Sequence, residues 1–282
     1  MTDIGIAHLS LLHLEPDELV AVAAKAGFDF VGLRVRGATP AEDIPDQSPG
    51  SPMSRATIAR LQDTGVQVRD IEFLSLDGTA GAEEWRPMLE AGAALGATTL
   101  TLAGQDPDLE RLGDTLAALA AEAADYGITP ALEPISYNTV STVAQARALA
   151  SAAGCHVMLD PLHLHRGGSA PAEVAEMDPS LIPALQLCDG PAELPEQIEI
   201  TAPLPRGMTA DGEPRKVESR AHRLVPGDGE FPLHELLSAV AAGTPVSLEV
   251  PNAGLVSRLG DLGYARRLRA SAEAVLAGAA HV

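Results

Sequence analysis

Short apolar segments rich in Val, Ile and Leu alternate along the chain with longer segments rich in Ala and Leu. The apolar segments predict eight strands, which begin near Ile4, Asp29, Val66, Thr98, Ile128, His156, Pro183 and Pro245. Several Ala- and Leu-rich segments end in a glycine just before the next strand, as in AKAGF and QDTGV. Because glycine after a helix ends it by adopting a left-handed conformation, the pattern predicts helices between the strands.

Most of the predicted strand starts lie roughly 30 residues apart, which is the size of a βαβ unit. Eight such units predict a parallel sheet, most simply closed into a single (β/α)8 barrel over residues 1–282. A doubly wound open sheet is the structural alternative, but its first turn is usually rich in glycine, whereas this one reads LSLLHLEP. Two long segments, 38–52 and 190–230, are expected on the carboxyl-end face, where barrel active sites lie.

The charge of the chain argues against several partners. Lys and Arg number 19 and Asp and Glu number 39, which gives a net charge of −20. Such a surface repels phosphate backbones, so we expect no nucleic-acid partner. No apolar run approaches the roughly 20 residues of a membrane span, and we expect no signal peptide. The two cysteines lack the spacing of a disulfide framework, so we expect a cytoplasmic location.

Polar side chains stand at the ends of the last four predicted strands. They are Glu133 in ALEP, Asp160 in LDPLH, Gln186 in LQLCDG and Glu249 in SLEVP. A carboxylate in an apolar strand needs a partner, and few basic residues are nearby to supply one. We therefore expect a divalent cation, with ordinary buried ion pairs as the alternative. Oxygen ligands favour Mg²⁺ or Mn²⁺ over Zn²⁺, and His163 as a further ligand would favour Mn²⁺ or Co²⁺.

These segments resemble the xylose isomerase-like TIM-barrel superfamily, which contains sugar isomerases and epimerases, inosose dehydratase and endonuclease IV. The similarity covers nearly the whole chain. Its most specific segments are AGFDFVGLR (26–34), ALEP (131–134), LDPLH (159–163), LQLCDG (185–190), RLVPGDGEFPL (223–233) and SLEVP (247–251). In the family a Glu, an Asp, a His and a second Glu bind one divalent metal, usually Mn²⁺. The position aligned with the His holds Gln186, which leaves the subfamily open.

The resemblance also implies catalytic roles. The two family glutamates flank the substrate and act as acid and base, which implies these roles for Glu133 and Glu249. The family's Asp-x-x-His pattern matches Asp160 and His163, and implies that the His contacts a substrate oxygen. Arg223, ahead of the PGDG segment, is an implied substrate contact.

Three further residues are candidate substrate contacts. His8 follows the first strand, and the alternative is a histidine of the core. Arg34, in GLRV, is a basic residue inside an apolar strand, and it either binds a substrate hydroxyl or pairs with Glu72 of the third strand. Glu72 itself stands where the family often places an acidic contact.

The expected reaction is removal of a proton beside a carbonyl, with the resulting enediolate stabilised by the metal. We expect an isomerase or epimerase of an unphosphorylated keto-sugar or cyclitol, because the sequence shows no Lys and Arg cluster after strand seven or eight to hold phosphate. A lyase, either a dehydratase or an enzyme that cleaves 3-keto-glycosides, is the alternative. A non-catalytic sugar-binding subunit is a further alternative because of Gln186. The resemblance is compatible with a homo-oligomer.

Overall fold

A computed structural model describes residues 2–200, 202–210 and 212–279 of the chain. This part of the chain contains one sheet of eight strands. They are β1 (Ile4–Ala7), β2 (Phe30–Arg34), β3 (Gln67–Leu76), β4 (Thr99–Gly104), β5 (Thr129–Glu133), β6 (His156–Val157), β7 (Leu185–Leu187) and β8 (Val246–Leu248). Their order is β6-β5-β4-β3-β2-β1-β8-β7, and the paired neighbours run parallel.

The two ends of this sheet meet just beyond β6. Leu159 forms an isolated parallel bridge with Leu185 of β7, and the N–H of Gln186 donates to the carbonyl of Leu159 at 2.7 Å. The sheet therefore closes on itself. The predicted (β/α)8 barrel is confirmed, and the doubly wound open sheet is wrong.

Helices surround the barrel in the described part of the chain. They are α1 (Pro16–Ala26), α2 (Pro52–Thr64), α3 (Ala82–Leu95), α4 (Leu109–Ala123), α5 (Val143–Ala153), α6 (Pro161–Gly167), α7 (Pro171–Ala175), α8 (Pro214–Ala221), α9 (Leu233–Ala239), α10 (Ala253–Leu259) and α11 (Asp261–Ala279). Gly27 and Gly154 end α1 and α5 with φ of 87° and 72°, as the glycine pattern predicts. None of these helices is long and apolar enough to cross a membrane.

Most strand residues are buried, and the largest cluster of buried hydrophobic side chains contains residues of both strands and helices. Every residue of β1, β2 and β4 is buried. Tyr264 of α11 is among the largest fully buried side chains, and its hydroxyl donates to the carbonyl of Val250, just beyond β8. This bond fixes the end of β8, where Glu249 stands.

Two segments meet over the carboxyl-end face of the barrel, and we call residues 35–51 and 202–210 together the roof. Arg206 joins them: its backbone carbonyl accepts a hydrogen bond from the N–H of Asp43 at 3.0 Å. Its guanidinium donates to the carbonyls of Leu12 at 2.7 Å and Leu14 at 3.0 Å. The roof therefore connects the segments that follow β1, β2 and β7.

Candidate active site at the carboxyl ends of the strands

A cavity of about 530 Å³ lies between the carboxyl ends of the strands and the roof. Strand-end side chains form its floor. They are Arg34, Glu72, Glu133 and Glu249, joined by His163 from α6 and Arg223 from the segment after α8. Six of the predicted site residues therefore share one cavity.

Glu133, Asp160 and His163 form a buried cluster beside this floor. Their potential ligand atoms all lie within 4.8 Å of one another. Asp160 caps α6 by accepting the N–H of Leu162 at 2.8 Å, and Pro161 at the first helical position suits this start. His163, three residues after the cap, lies with Nε2 at 3.8 Å from Oε1 of Glu133.

Arg223 lies between two of the predicted metal ligands. Its Nη1 pairs with Oδ2 of Asp160, and its Nη2 is 3.0 Å from Oε2 of Glu249. Its Nε donates to the carbonyl of Ser219 at 2.8 Å. The sequence predicts few basic residues near these carboxylates. Arg223 is such a residue, and its guanidinium comes from the long segment after β7 and not from a strand.

Gln186 contacts Glu249. Its Nε2 donates to Oε1 of Glu249 at 3.1 Å, and its own Oε1 is buried with no hydrogen-bond partner among the described residues. Of the four predicted ligands, the structure thus brings Glu133 and Asp160 together with His163, while Glu249 and Gln186 bond to each other. The first three fit a divalent cation, since two carboxylate oxygens and a ring nitrogen at these separations can reach one ion. The four-ligand set stays a prediction.

Burial and neighbouring charges separate the protonation states of these groups. Burial, together with the charges of Glu249 and Asp160, raises the pKa of Glu133 well above its usual range. Burial raises the pKa of Glu249 to about 8, although Arg223 opposes the shift. Burial also disfavours the charged form of Asp160, but Arg223 and His163 outweigh it and lower the pKa of Asp160. The cavity therefore holds ionised and protonated carboxyl groups side by side.

His163 is a neutral imidazole at physiological pH. Burial lowers the pKa of His163 to about 4, although the charge of Asp160 opposes the shift. Its Nδ1 lies 3.3 Å from the hydroxyl of Ser136, and the ring of Tyr137 stacks edge-on at 5.5 Å between centroids. A neutral ring held on two sides is suited to contact a substrate oxygen or a metal ion.

Arg34 and Glu72 form a second charged group on the floor. Nη2 of Arg34 is 3.7 Å from Oε2 of Glu72, and Nη1 of Arg34 is 3.0 Å from Oε2 of Glu42. Arg34 therefore lies close enough to pair with Glu72, which is one of its two alternatives. It also lines the cavity, and a contact with a substrate hydroxyl stays a prediction. Sequence analysis missed Glu42, because a single acidic residue in the long segment after β2 gives no periodic or positional signal.

Asp70 is a second acidic residue that sequence analysis missed. It is buried within β3, and burial together with the charge of Glu249 raises the pKa of Asp70 to about 7. A Cβ at Gly32 would lie 2.6 Å from one of its oxygens. The glycine of GLRV therefore makes room for this carboxyl, and that pairing is visible only once β2 and β3 are aligned.

His8 lies behind the cavity and outside its described lining. The N–H of Arg34 donates to Nδ1 of His8 at 3.2 Å, so the ring proton is on Nε2, which donates to the carbonyl of Leu14 at 3.1 Å. Burial lowers the pKa of His8 to about 3. Of the two alternatives for His8, a histidine of the core is the one that this geometry supports, because both ring nitrogens already bond the backbone.

Helix α8 closes one side of the cavity. Lys216, Ser219 and Arg220 of this helix line the cavity, together with Arg223 just after it. These basic side chains come from the sequence PRKVESRAHR, in which Lys216 and Arg220 belong to α8 and Arg223 follows its end. An unphosphorylated substrate stays a prediction.

Comparison with known proteins agrees with this fold. A family model described as xylose isomerase-like TIM barrel matches residues 20–275. The IolI protein with a bound zinc atom aligns with a TM-score of 0.73 and 18% identity, over 98% of this chain and 99% of that chain. L-ribulose 3-epimerase aligns with a TM-score of 0.68 and 18% identity, over 100% of this chain and 96% of that chain. The probable 3-DHS dehydratase AsbF from Bacillus anthracis aligns with a TM-score of 0.71 and 14% identity, over 95% of this chain and 98% of that chain.

The chain belongs to the xylose isomerase-like TIM barrel family, because the family match covers most of its length. The three structural likenesses show the shared fold. They include an epimerase, a dehydratase and a zinc-binding protein, so enzymes of more than one reaction class and a divalent metal occur on this fold. A comparison with curated protein sequences finds no match.

Proposed function

We propose that the chain is an isomerase or epimerase that moves a proton next to the carbonyl group of a keto-sugar or cyclitol. The observation that carries this proposal is the placement of Glu133 and Glu249. These buried carboxyls end β5 and follow β8, and both line the same cavity. Burial raises the pKa of both carboxyl groups, and the charge of Glu249 raises the pKa of Glu133 further, so each group can carry a proton near neutral pH.

Residues of this cavity would bind the substrate and move this proton. Glu249, beside Arg223, is the proposed base, because the guanidinium favours its ionised form. Glu133 is the proposed partner that returns a proton. A carboxyl group positioned in this way contributes about 10²–10⁴-fold to the rate. His163 and Arg34 line the same floor and would orient the substrate hydroxyls.

A divalent cation would be held by Glu133, Asp160 and His163, and when bound it would polarise the substrate carbonyl. We propose Mn²⁺, with Mg²⁺ and Co²⁺ as alternatives, because the cluster offers two hard oxygens and one imidazole nitrogen. The Oε1 of Gln186, which is buried and has no hydrogen-bond partner among the described residues, is a further candidate oxygen ligand.

A lyase remains the second candidate, and the extent of the cavity is the observation that favours it. The lining continues from the strand ends to Asp77, Gln105 and Lys216, which leaves room beyond one sugar ring. A dehydratase or an enzyme that cleaves 3-keto-glycosides would begin with the same proton removal and then expel a β-leaving group.

Proton NMR in D₂O tests this function on a panel of ketoses, inososes and 3-keto-glycosides, with Mn²⁺ or Mg²⁺ present. We expect loss of the proton signal of the C–H group next to the carbonyl, because that hydrogen exchanges for deuterium. The product spectrum then distinguishes epimer, isomer and elimination product. Glu249→Gln should slow the exchange by about 10²–10⁴-fold, while Glu235→Gln on the exposed part of α9 should not. Exchange that Glu249→Gln leaves unchanged would disprove the two-carboxylate mechanism, and no exchange on any substrate would favour a non-catalytic sugar-binding barrel.

A further inference from the structure

Asp189 is a buried residue just beyond β7, outside the described lining of the cavity. Its Oδ1 accepts hydrogen bonds from the N–H groups of Gly190 at 2.8 Å and Phe231 at 3.1 Å. Its Oδ2 accepts from the N–H groups of Gly227 at 2.8 Å and Gly229 at 3.2 Å. A buried carboxylate needs such partners, and all four of these donors belong to the backbone. The carboxylate therefore connects the end of β7 to backbone that lies up to 42 positions later in the chain.

The backbone of Asp189 also pairs with the residue that follows Arg223. The N–H of Asp189 donates to the carbonyl of Leu224 at 3.0 Å, and the N–H of Leu224 donates to the carbonyl of Asp189 at 2.9 Å. Residues 224–231 thus form a loop that bonds to the backbone of Asp189 at its start and to the carboxylate of Asp189 farther along. Arg223 stands directly before this loop.

Gly229 allows the loop to approach the carboxylate this closely. A Cβ at Gly229 would lie 2.4 Å from Oδ1 of Asp189 and 2.5 Å from the carbonyl oxygen of Gly190. Gly229 is not among the glycines with positive φ, so glycine is needed at this position for space and not for a left-handed conformation. The sequence is therefore suited to enclose this carboxylate in backbone.

Helix α8 does not by itself place Arg223. The helix ends at Ala221, and His222 has φ of −142° and ψ of 32°, which is not helical. The direction of the chain at Arg223 therefore depends on contacts beyond the helix. One is the backbone pairing of the next residue with Asp189, and another is the hydrogen bond that the side chain of Asn252 donates to the carbonyl of Arg223 at 3.1 Å.

We propose that Asp189 is a positioning residue of the active site, which holds residues 224–231 and thereby sets the guanidinium of Arg223 between Asp160 and Glu249. Its effect on the reaction rests on the proposed function, whereas its effect on Arg223 does not. Hydrogen bonds between a guanidinium and carboxylates depend on direction as well as distance. A displacement of the backbone at Arg223 therefore weakens the pairs with both carboxyls.

The Nε–H signal of Arg223 in a ¹H–¹⁵N NMR spectrum measures this placement without any substrate. This group is buried and donates to the carbonyl of Ser219 at 2.8 Å, so its hydrogen should exchange slowly with solvent, and Arg223→Lys identifies the signal by removing it. In Asp189→Asn we expect this exchange to be about tenfold or more faster, because the amide nitrogen of Asn cannot accept a hydrogen bond. The backbone amides of β1–β4 should keep their wild-type exchange rates. Asp108→Asn is the matched control, because Asp108 accepts two backbone N–H groups at the exposed start of α4 and lies outside the described lining of the cavity.

Gly229→Ala is a second variant, which keeps the carboxylate of Asp189 and forces the loop away from it. We expect the same change at the Nε–H of Arg223 as in Asp189→Asn. Gly113→Ala is its control, because a Cβ there would lie 3.7 Å from Leu149, which is an ordinary contact. If neither Asp189→Asn nor Gly229→Ala alters the Arg223 signal, the proposal is wrong. It is equally wrong if exchange rises to the same extent at the amides of β1–β4, because Asp189 would then only stabilise the fold.

Proton exchange in D₂O on the panel of ketoses, inososes and 3-keto-glycosides tests the effect on the reaction. Asp189→Asn should lower the exchange rate by about 10- to 100-fold, because small displacements at an active site have effects of this size. Since Asp189 acts through Arg223, the double variant Asp189→Asn/Arg223→Lys should be no slower than Arg223→Lys alone. Additive losses would show that Asp189 acts by another route and would overturn the proposal. If the wild type exchanges no proton on any member of the panel, the proposed function fails, and the Arg223 signal still decides whether Asp189 positions this side chain.

Discussion

The guanidinium of Arg223 and the carboxyl of Glu249 form a buried ion pair, with 3.0 Å between Nη2 and Oε2. Both side chains are almost fully inaccessible to solvent, and Nη1 of the same arginine pairs with Asp160. A positive charge supplied by the chain itself therefore stands inside the group of carboxyls at the strand ends. This charge keeps Asp160 ionised and favours the ionised form of Glu249, which is the form that removes a proton.

Removal of this guanidinium should destabilise the fold strongly. Arg223→Met leaves the carboxyls of Asp160 and Glu249 buried without this counter-charge, and we expect a loss of about 3–5 kcal/mol in the free energy of unfolding. Urea unfolding followed by circular dichroism measures this loss. Arg86→Met breaks the half-exposed pair with Glu122 and should cost less than about 1 kcal/mol. Equal losses in the two variants would show that Arg223 is not the counter-charge of the site.

Metal binding should depend on His163 and not on its neighbour His165. We expect protein dialysed against EDTA to bind Mn²⁺ in titration calorimetry, and His163→Ala to weaken this binding by at least about tenfold, because one of three ligands is lost. Gln186→His should hold or raise the affinity. His165→Ala is the matched control, because that ring bonds the carbonyl of Ala192 and stacks on Phe231. Mn²⁺ affinity that is the same in His163→Ala and wild type would remove His163 from the ligand set.

Acid should destabilise the fold partly through His8. Because burial lowers the pKa of His8 to about 3, the unfolded chain binds a proton below pH 6.5 that the folded chain does not. The stability from this group is present above pH 6.5 and is lost as the pH falls toward 3, by at most about 1.4 kcal/mol per pH unit. His163 adds a second loss of the same sign between pH 6.5 and its pKa of about 4.

Urea unfolding at pH 6.5 and pH 5.0 measures this effect. In His8→Gln, whose amide can still accept from Arg34 and donate to Leu14, the difference between the two pH values should shrink. His234→Gln changes an exposed side chain of α9 and should keep the wild-type difference in unfolding free energy between the two pH values. If His8→Gln does not alter the difference in unfolding free energy between the two pH values, the ring of His8 is charged in the folded protein.

The roof should open when Gly207 gains a side chain. Its φ is 72°, and a Cβ there would lie 2.2 Å from the carbonyl oxygen of Ala41, so Gly207→Ala must push residues 35–51 and 202–210 apart. We expect faster amide exchange in both segments and a higher KM, with little change in the barrel strands. Gly212→Ala shares the positive φ of 91° but meets no atom within 4 Å. Hydrogen exchange that is the same in both variants would show that this contact does not hold the roof.

The barrel and its strand-end residues were predictable because both follow from local sequence. Eight apolar segments at roughly regular spacing specify parallel strands, and a carboxyl at the end of such a strand, as in Glu133 or Glu249, must face the common mouth. The family resemblance pairs Asp160 with His163 through its Asp-x-x-His pattern, and the structure gives the physical reason, since Asp160 caps the helix that carries His163.

The partners of these residues were not predictable, because they come from segments without periodicity. Arg223 pairs with Asp160, which is 63 positions earlier in the sequence. The sequence around either residue does not indicate the other as its partner. Glu42 approaches Arg34 only because the roof folds over β2. The sequence leaves two alternatives for His8, because it does not show that the short 3-10 turn that begins at this residue buries its ring.

The bonds of Arg206 also bear on the order in which the molecule is assembled. Its guanidinium contacts Leu12, which is 194 positions earlier in the chain, and contacts between such distant segments form late in folding because long loops must close first. Glu133 and Asp160 are synthesised before Arg206 and Arg223. A chain emerging from the ribosome therefore contains these two acidic residues before it has either the guanidinium that neutralises Asp160 or the roof that covers them.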